Sequence, residues 1–505
     1  MPKLRPWDKY NEALLANAHP VDWQNPEPAA SYNLVVIGGG TAGLVCAAGA
    51  AGLGARVALV ERHLMGGDCL NYGCVPSKAV IRSSRIAADL RTADRFGVKV
   101  PAGAEVDFPA VMERMRRLRA QISQHDSAQR LRGLGVDLFL GEARFTGARM
   151  VEVTGKTLNF TKAVVATGGR PVQPSLPGIG AAGFLTNETV FSLTERPPRL
   201  LVIGAGPIGC EFAQAFQRLG CQVSLLHKHP LIMNREDGDA AGLIQNIFLR
   251  EGIKLILEAR PIQVSQTATG KLLRFESGGA TGEIEVDEIL VGAGRTPNVE
   301  DLNLEAAGVK YEAGRGRGVL VNDYLQTTNP RIYAAGDVCL PYQFTHLADA
   351  AARIVIQNAL FLGRKKFSAL TIPWCTFTDP EVAHVGLNEA AAQKQDLAVQ
   401  VYLQPLSEVD RAILDGEAEG FVKILVKAGT DKILGATIVA RHAGEMISEV
   451  SLAMVAGVGL GKLSSVIHPY PTQAEAIKGV TTLYNRSRLT PRLQRLLARY
   501  LAWRR

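Results

Sequence analysis

One pattern occurs twice in this chain and restricts its fold more than any other feature. Asn33-Leu-Val-Val-Ile37 is an apolar run of strand length, followed by Gly38-Gly-Gly-Thr-Ala-Gly43 and an Ala/Gly-rich helical stretch. A second apolar run, Arg56-Val-Ala-Leu-Val60, then closes on Glu61. Past Pro197-Pro198 the order restarts, with Leu200-Leu-Val-Ile203, Gly204-Ala-Gly-Pro-Ile-Gly209, a helical stretch and Val223-Ser-Leu-Leu226. Strand, G-x-G-x-x-G turn, helix and second strand make a dinucleotide-binding unit. Gly38, Gly40 and Gly43, and again Gly204, Gly206 and Gly209, allow the turn and let a pyrophosphate approach a helix N-terminus, whose free N–H groups favour anions. One such turn is a weak signal, but two imply two cofactors that exchange electrons. Glu61 stands eighteen residues beyond Gly43, where it can accept from a ribose diol. The second unit has His227, Lys228 and His229 in place of that acid. Bases there attract a 2′-phosphate, so the expected donor is NADPH, with NADH the alternative.

Between the two units lies Gly66-Gly-Asp-Cys-Leu-Asn-Tyr-Gly-Cys-Val-Pro-Ser-Lys78, with four residues between Cys69 and Cys74. On a regular helix this spacing separates the two by roughly 7.5 Å along the axis, whereas a disulfide tolerates Cα separations of only about 4.4–6.8 Å. If the sulfurs bond, the backbone must leave helical geometry, with Gly73 and Pro76 supplying the bend. So short a loop gains little stability from a bridge, so reversible opening in a reaction is the better reason for one. A zinc half-site or two unrelated core cysteines are the alternatives. Zinc needs a second ligand pair, and no other close Cys/His pair stands out, so no metal site is expected.

These residues resemble the redox segment of the flavin disulfide reductases, the family that includes glutathione reductase, dihydrolipoamide dehydrogenase and mercuric reductase. The resemblance runs from about Tyr32 to about Asn485. It implies an α/β fold with two dinucleotide-binding (Rossmann-like) domains plus an α+β dimerisation domain, and FAD beside the nicotinamide cofactor. It implies that Cys69 meets the external substrate and Cys74 faces the flavin as a charge-transfer thiolate. By the same resemblance Gly67 and Asp68 adjoin the flavin, and Lys78 pairs with Glu211 beside the atom that receives hydride, stabilising anionic flavin. Thr167 and Gly168 of Ala166-Thr-Gly168 approach the flavin, and Gly294 and Arg295 lie in the turn that returns from the nicotinamide domain. Asp337 meets the ribityl and phosphate region, and Thr345 lies near the isoalloxazine edge. The implied boundaries are an arm over 1–30, a flavin domain over 31–185 and 301–365, a nicotinamide domain over 186–300, an interface domain over 366–484 and a tail over 485–505.

The interface domain would form a homodimer and complete each active site through His468-Pro-Tyr-Pro-Thr-Gln-Ala-Glu475. The family's usual H-x-H-P-T-x-x-E pattern places His468 at the first histidine, Tyr470 at the catalytic one and Glu475 at its carboxylate partner. A phenol titrating near 10 is a poor base at neutral pH. This argues against fast turnover of glutathione or dihydrolipoamide and favours mercuric ion or another soft metal. Mercuric reductases resemble this chain in carrying a tyrosine there, but the chain ends in Tyr500-Leu-Ala-Trp-Arg-Arg505, without their terminal cysteine pair, and lacks their N-terminal metal-binding motif. A dihydrolipoamide-type or other small disulfide or quinone reductase is the alternative. A third reading, of another class, is a membrane-tethered redox partner with slow intrinsic catalysis.

The net charge of +8 over 505 residues is no nucleic-acid signal, and seven cysteines suit a reducing, cytoplasmic compartment. Cys46, Cys210, Cys221, Cys339 and Cys375 read as small core residues. Leu34–Ala55 carries no charge but contains seven glycines, and the cofactor turn explains it; no transmembrane helix is expected. Residues 1–30 read as an extended arm pinned by Trp7 and Trp23. Pro109–Arg132 reads as a solvated surface helix with Val111, Met115, Leu118 and Ile122 inward and its strongly basic opposite face turned to solvent. In the tail, Leu493, Leu496, Leu497, Tyr500 and Leu501 share a helical face, with Arg492, Arg495 and Arg499 away from it and Trp503 near its end. That stripe either packs on the enzyme's own dimer or makes peripheral contact with an anionic membrane.

Overall fold

The computed structural model describes every residue except Met1, Lys3 and Ala293. The chain forms two compact units. The first comprises Met1–Gly204, Ala215–Lys228 and Lys254–Leu370. Its main sheet has the strand order 136–140, 57–61, 32–37, 156–165, 150–153, 143–147, and the strand Ile332–Ala334 also pairs with 156–165. The first four strands run parallel, with Val35 beside Ala58 and Ala163. Such strands are covered on both faces and so read as unbroken apolar runs; Leu34, Val35, Val36 and Ile37 are all buried. Phe139, Phe145, Val151 and Leu158 join Val35 and Ile332 in one core.

The second glycine turn also follows a parallel sheet, in the order 254–256, 222–226, 199–203, 288–291. An antiparallel three-stranded sheet over 259–286 packs its Val264 and Leu273 against Leu201 and Ile289.

The second unit comprises Ala205–Gln214, His229–Ile253 and Thr371–Arg505. It is built on a five-stranded antiparallel sheet, 373–376, 381–386, 433–440, 421–427, 399–405. The helices Ala443–Val455 and Glu475–Arg488 bury Met446, Ile447, Val450, Ile477 and Val480 in its core. Lys423 in the middle of this sheet is buried, and its ammonium meets Asp237 at 2.9 Å, Asp239 at 2.8 Å and Glu389 at 2.7 Å.

Two expectations are corrected here. Residues 1–30 contain a helix, α1 (Lys9–Ala18), capped by Asp8, whose carboxylate accepts from the Tyr10 and Asn11 N–H groups. Trp7 stays exposed, while the Trp23 indole donates to Leu138 O and stacks on Arg132. The helix expected over Pro109–Arg132 ends at Ile122, and its inward face holds Met112, Met115, Arg116 and Arg119, with Ile122 exposed. Two arginines assigned to solvent are thus buried, because α1 supplies partners that local periodicity does not record. Among the described residues, no helix is long and apolar enough to cross a membrane.

Candidate active site

The first glycine turn is built so that backbone meets backbone. After α1, the helices of this region are α2 (Thr41–Gly52), α3 (Gly67–Asn71), α4 (Cys74–Arg91) and α5 (Phe108–Ile122). Gly38 has φ +108°, and a Cβ there would lie 2.3 Å from Ala166 O. A Cβ on Gly43 would lie 1.7 Å from Gly38 O, and one on Gly67 2.5 Å from the Cα of Gly40, which caps α2. Glu61 is buried at the end of its strand and accepts from the N–H groups of Gly39 (2.5 Å) and His63 (2.6 Å). Burial pushes its carboxyl up, against those donors. An open glycine cradle, a helix N-terminus and an acid beside them fit the pyrophosphate and ribose of FAD.

The thiols sit on either side of a helix break. Cys69 lies in α3, and Cys74 is the first residue of α4. The break falls at Tyr72 and at Gly73 (φ −126°, ψ −118°). A Cβ on Gly73 would lie 3.0 Å from Asp68 O. Pro76 does not make the bend; it sits in the first turn of α4, where its missing N–H costs nothing. The Cys69 and Cys74 side chains are in contact. That contact, followed by burial, pushes the Cys69 thiol well up. Cys74 Sγ lies 3.5 Å from Thr345 Oγ1 at the first turn of the helix Thr345–Leu360. Thr345 thus stands at the Cys74 sulfur, where a helix N-terminus favours thiolate. Lys78 is half-buried in the second turn of α4.

Arg295 gathers the segments that border this site. Its guanidinium meets Asp68 Oδ2 at 3.0 Å and Asp337 Oδ2 at 3.5 Å, and donates to Gly169 O at 2.8 Å. Asn187, which nothing in the sequence singled out, donates to Asp68 and to Tyr72 O. Burial pushes Asp68 up, and pushes Asp337 up to about 6, with Arg295 opposing in both cases. Thr167 Oγ1 donates to Asn298 O, and the Asn298 amide returns to Thr167 O. Gly168 (φ +68°) accepts from the Asn298 N–H, and Gly294 (φ +107°) from that of Val172. Asp68, Thr167, Gly168, Arg295 and Asp337 thus form one cluster. Of its linking residues, Asn298 closes the turn that carries Gly294 and Arg295, whereas Asn187 had no motif to flag it.

Gly204 (φ +105°) follows the strand Arg199–Ile203, and Gly206 accepts from the Cys210 N–H as the helix Pro207–Arg218 begins, with Gly209 in its first turn. Lys228 is exposed, but His227 is buried and its backbone continues the sheet, donating to Ile256 O and accepting from Ala259 N. Of the two bases, Lys228 is therefore the one that presents charge outward. In the second unit, Glu211 is buried and accepts from the Phe377 N–H at 2.9 Å.

His468 is buried and bonds to Glu449 (3.0 Å) through Nε2. Tyr470 is 70% exposed and donates to Asp410 Oδ2 at 3.0 Å. That bond holds its phenol above 10, so the hydroxyl keeps its proton at neutral pH. Glu475, expected to hold the residue at position 470, begins the helix Glu475–Arg488. The carboxylates bonded to Tyr470 and His468 are Asp410 and Glu449, which lie too far off in sequence to be paired by pattern. Leu452, Val455 and Ile467 of this unit are 68%, 69% and 90% exposed, an apolar set suited to a subunit contact. Of the other cysteines, Cys46, Cys210 and Cys221 are buried, Cys339 and Cys375 partly so, and burial pushes the Cys46 and Cys221 thiols up to about 12. Among the described residues, no Cys/His/Asp/Glu group is arranged to hold a metal ion.

Residues 32–354 match the pyridine nucleotide-disulphide oxidoreductase family, and residues 372–481 match its dimerisation domain. The chain is 37% identical to mercuric reductase of Staphylococcus aureus over 447 residues, covering 88% of this chain and 81% of that protein. It is 36% identical to dihydrolipoyl dehydrogenase of Thermus scotoductus over 460 residues, covering 88% and 96%. The solved Cu(II) complex of the HOCl-induced flavoprotein disulfide reductase RclA from Escherichia coli superposes with a TM-score of 0.77 at 29% identity, covering 90% of this chain and all of that one. The dimerisation-domain match supports a homodimer. The chain belongs to the pyridine nucleotide-disulphide oxidoreductases, α/β flavoenzymes that use FAD and a pyridine nucleotide.

Proposed function

We propose that this chain takes electrons from NADPH and delivers them through a Cys69–Cys74 disulfide to an outside acceptor, with mercuric ion or another soft metal the favoured class. The proposal includes a flavin domain over 31–185 and 301–365, a nicotinamide domain over 186–300 and an interface domain over 366–484. The observation that carries it is the pair of cysteines brought into contact across the α3–α4 break, with Cys74 Sγ 3.5 Å from Thr345 Oγ1. Bound FAD supplies the two-electron relay between nicotinamide and sulfur. At the sulfurs, the electron pair breaks the S–S bond, leaving a thiolate at Cys74 and a thiol at Cys69 that takes up one proton. Both sulfurs then ligate the metal, Cys69 releases its proton, and the electron pair passes to the cation as the disulfide re-forms. Thiolates favour soft cations over hard ones. Lys78 supplies positive charge on the hydride-receiving side.

Identity does not choose the acceptor, because the mercuric reductase and dihydrolipoyl dehydrogenase relatives are almost equally similar. Tyr470 supports the metal reading, since a phenol bonded to Asp410 holds its proton and serves poorly as the base that a disulfide substrate needs. Stopped-flow mixing of NADPH-reduced enzyme with mercuric thiolate, Cu(II), lipoamide, glutathione disulfide and a quinone tests this. Reoxidation by a metal at least tenfold faster than by lipoamide is the expected result, and the reverse order refutes it.

The tail supports a second contact. The helix Pro491–Trp503, capped by Thr490, buries none of its residues on this chain. Leu496, Leu501 and Trp503 are 64%, 57% and 81% exposed. One apolar face, five arginines from Arg492 to Arg505 and a terminal Trp suit peripheral attachment to an anionic membrane.

A further inference from the structure

Residues 1–31 precede the region that matches the family, yet this arm reaches the helix that carries Cys69. Fully buried Asn11 of α1 accepts from Arg119 Nη2 at 2.7 Å, and Arg119 Nη1 donates to Asn71 O at 2.8 Å. Asn71 ends α3, two residues past Cys69. Carbonyls at a helix end lack intrahelical partners, and a cation is favoured there. Burial lowers Arg119 to about 10, so it remains charged at neutral pH. Arg116, one turn earlier, is fixed by Asp8 at 2.6 Å, the residue that caps α1. The other end of the segment is held by the same arm: Met65 N donates to Ala18 O, and His19 bonds to His63 O. The Asn71 amide closes the set by donating to Met65 O and Gly67 O.

We infer that the N-terminal arm positions the redox segment: Asn11 orients Arg119, and Arg119 holds the end of α3 so that Cys69 stays in bonding register with Cys74. The inference rests on the reading of Cys69 and Cys74 as the redox pair. A disulfide has narrow geometric tolerance, so a looser α3 lowers the chance of Cys69 meeting Cys74 and shifts the couple towards dithiol. Arg119 and Asn11 are positioning residues, remote from the bond that breaks.

The test uses the full-length flavoprotein with Asn11→Ala, Arg119→Lys and Asn11→Asp, the last keeping an acceptor for Arg119. Dithiol–disulfide equilibrium against glutathione, iodoacetamide labelling of Cys69 in reduced enzyme, and flavin reduction by NADPH are measured. Asn11→Ala and Arg119→Lys should shift the equilibrium about tenfold towards dithiol, ~30 mV for a two-electron couple. They should also label Cys69 at least threefold faster, with flavin reduction unchanged, and Asn11→Asp should stay within twofold of wild type. Lower melting temperatures with wild-type equilibrium and labelling would overturn the inference, leaving the arm as a stabiliser of the fold. Failure of wild-type Cys69 and Cys74 to interconvert with a disulfide overturns the redox-pair reading, and this inference with it, before any variant is compared.

Discussion

Replacing Arg295 with Met isolates the charge that joins the Cys69 helix to the segment carrying Asp337. The Arg295 side chain is 10% exposed and stands between Asp68 and Asp337. Removing one partner of a buried ion pair costs about 3–5 kcal/mol, since it leaves charge uncompensated. Here the cost depends on pH. Asp337 is raised to about 6 even with Arg295 present, from an unfolded value near 3.9. A carboxyl raised on folding favours the native state below its unfolded pKa, and that advantage is lost as pH rises through its folded pKa. At 1.36 kcal/mol per pKa unit, the wild type already bears about 3 kcal/mol of penalty from this group at pH 8. Without Arg295 the penalty deepens above pH 6, while at pH 4.5 Asp337 is largely protonated and little is added. Urea unfolding of the holoprotein should therefore show a loss of about 3 kcal/mol or more at pH 8 and less than half of that at pH 4.5, with faster loss of FAD at the higher pH. Equal losses at both pH values would refute the reasoning and leave Arg295 a packing residue.

Three further outcomes are expected. NADPH should be preferred over NADH, and Lys228→Glu should move kcat/KM towards NADH by about tenfold, whereas the same change at buried His227 should chiefly lower the melting temperature; a wild type that prefers NADH contradicts this. Tyr470→Phe should leave flavin reduction by NADPH within twofold but slow transfer to mercuric thiolate, and Tyr470→His should raise lipoamide turnover if only a base is missing. Protein ending at Leu489 should fail to sediment with anionic vesicles in low salt, while full-length protein pellets and is released by added salt, each arginine contributing about 1 kcal/mol near such a surface; equal sedimentation of the two returns the tail to a protein contact.

Features whose information is local were legible in the sequence. The two glycine turns, Glu61 and the thiol spacing each follow from residues within one supersecondary unit, and the structure builds a turn at each glycine motif, a strand end at Glu61 and a helix break between the thiols. What escaped was pairing over distance. The burial of Arg116 and Arg119 depends on Asp8 and Asn11, 108 residues away in both cases, so hydrophobic periodicity assigned them to solvent. Lys423 looks like an outward residue of an amphipathic strand until three carboxylates from two other segments meet it. His227 illustrates the converse: its place just past a strand end marked it as a phosphate ligand, but its backbone bonds to Ile256 and Ala259 and its side chain is buried. Motifs locate the glycines and sulfurs, whereas Asn187, Asp410 and Glu449 emerge only when the chain is folded.

The central claim is that electrons pass through the Cys69–Cys74 pair. Anaerobic titration of the oxidised holoenzyme with NADPH tests it most directly. One equivalent should produce a long-wavelength absorbance band from the Cys74 thiolate against oxidised flavin and expose one rapidly alkylated sulfur at Cys69, and in Cys74→Ser the band should be absent. A wild type that passes straight to bleached flavin, with no such band and no new thiol, would contradict the account.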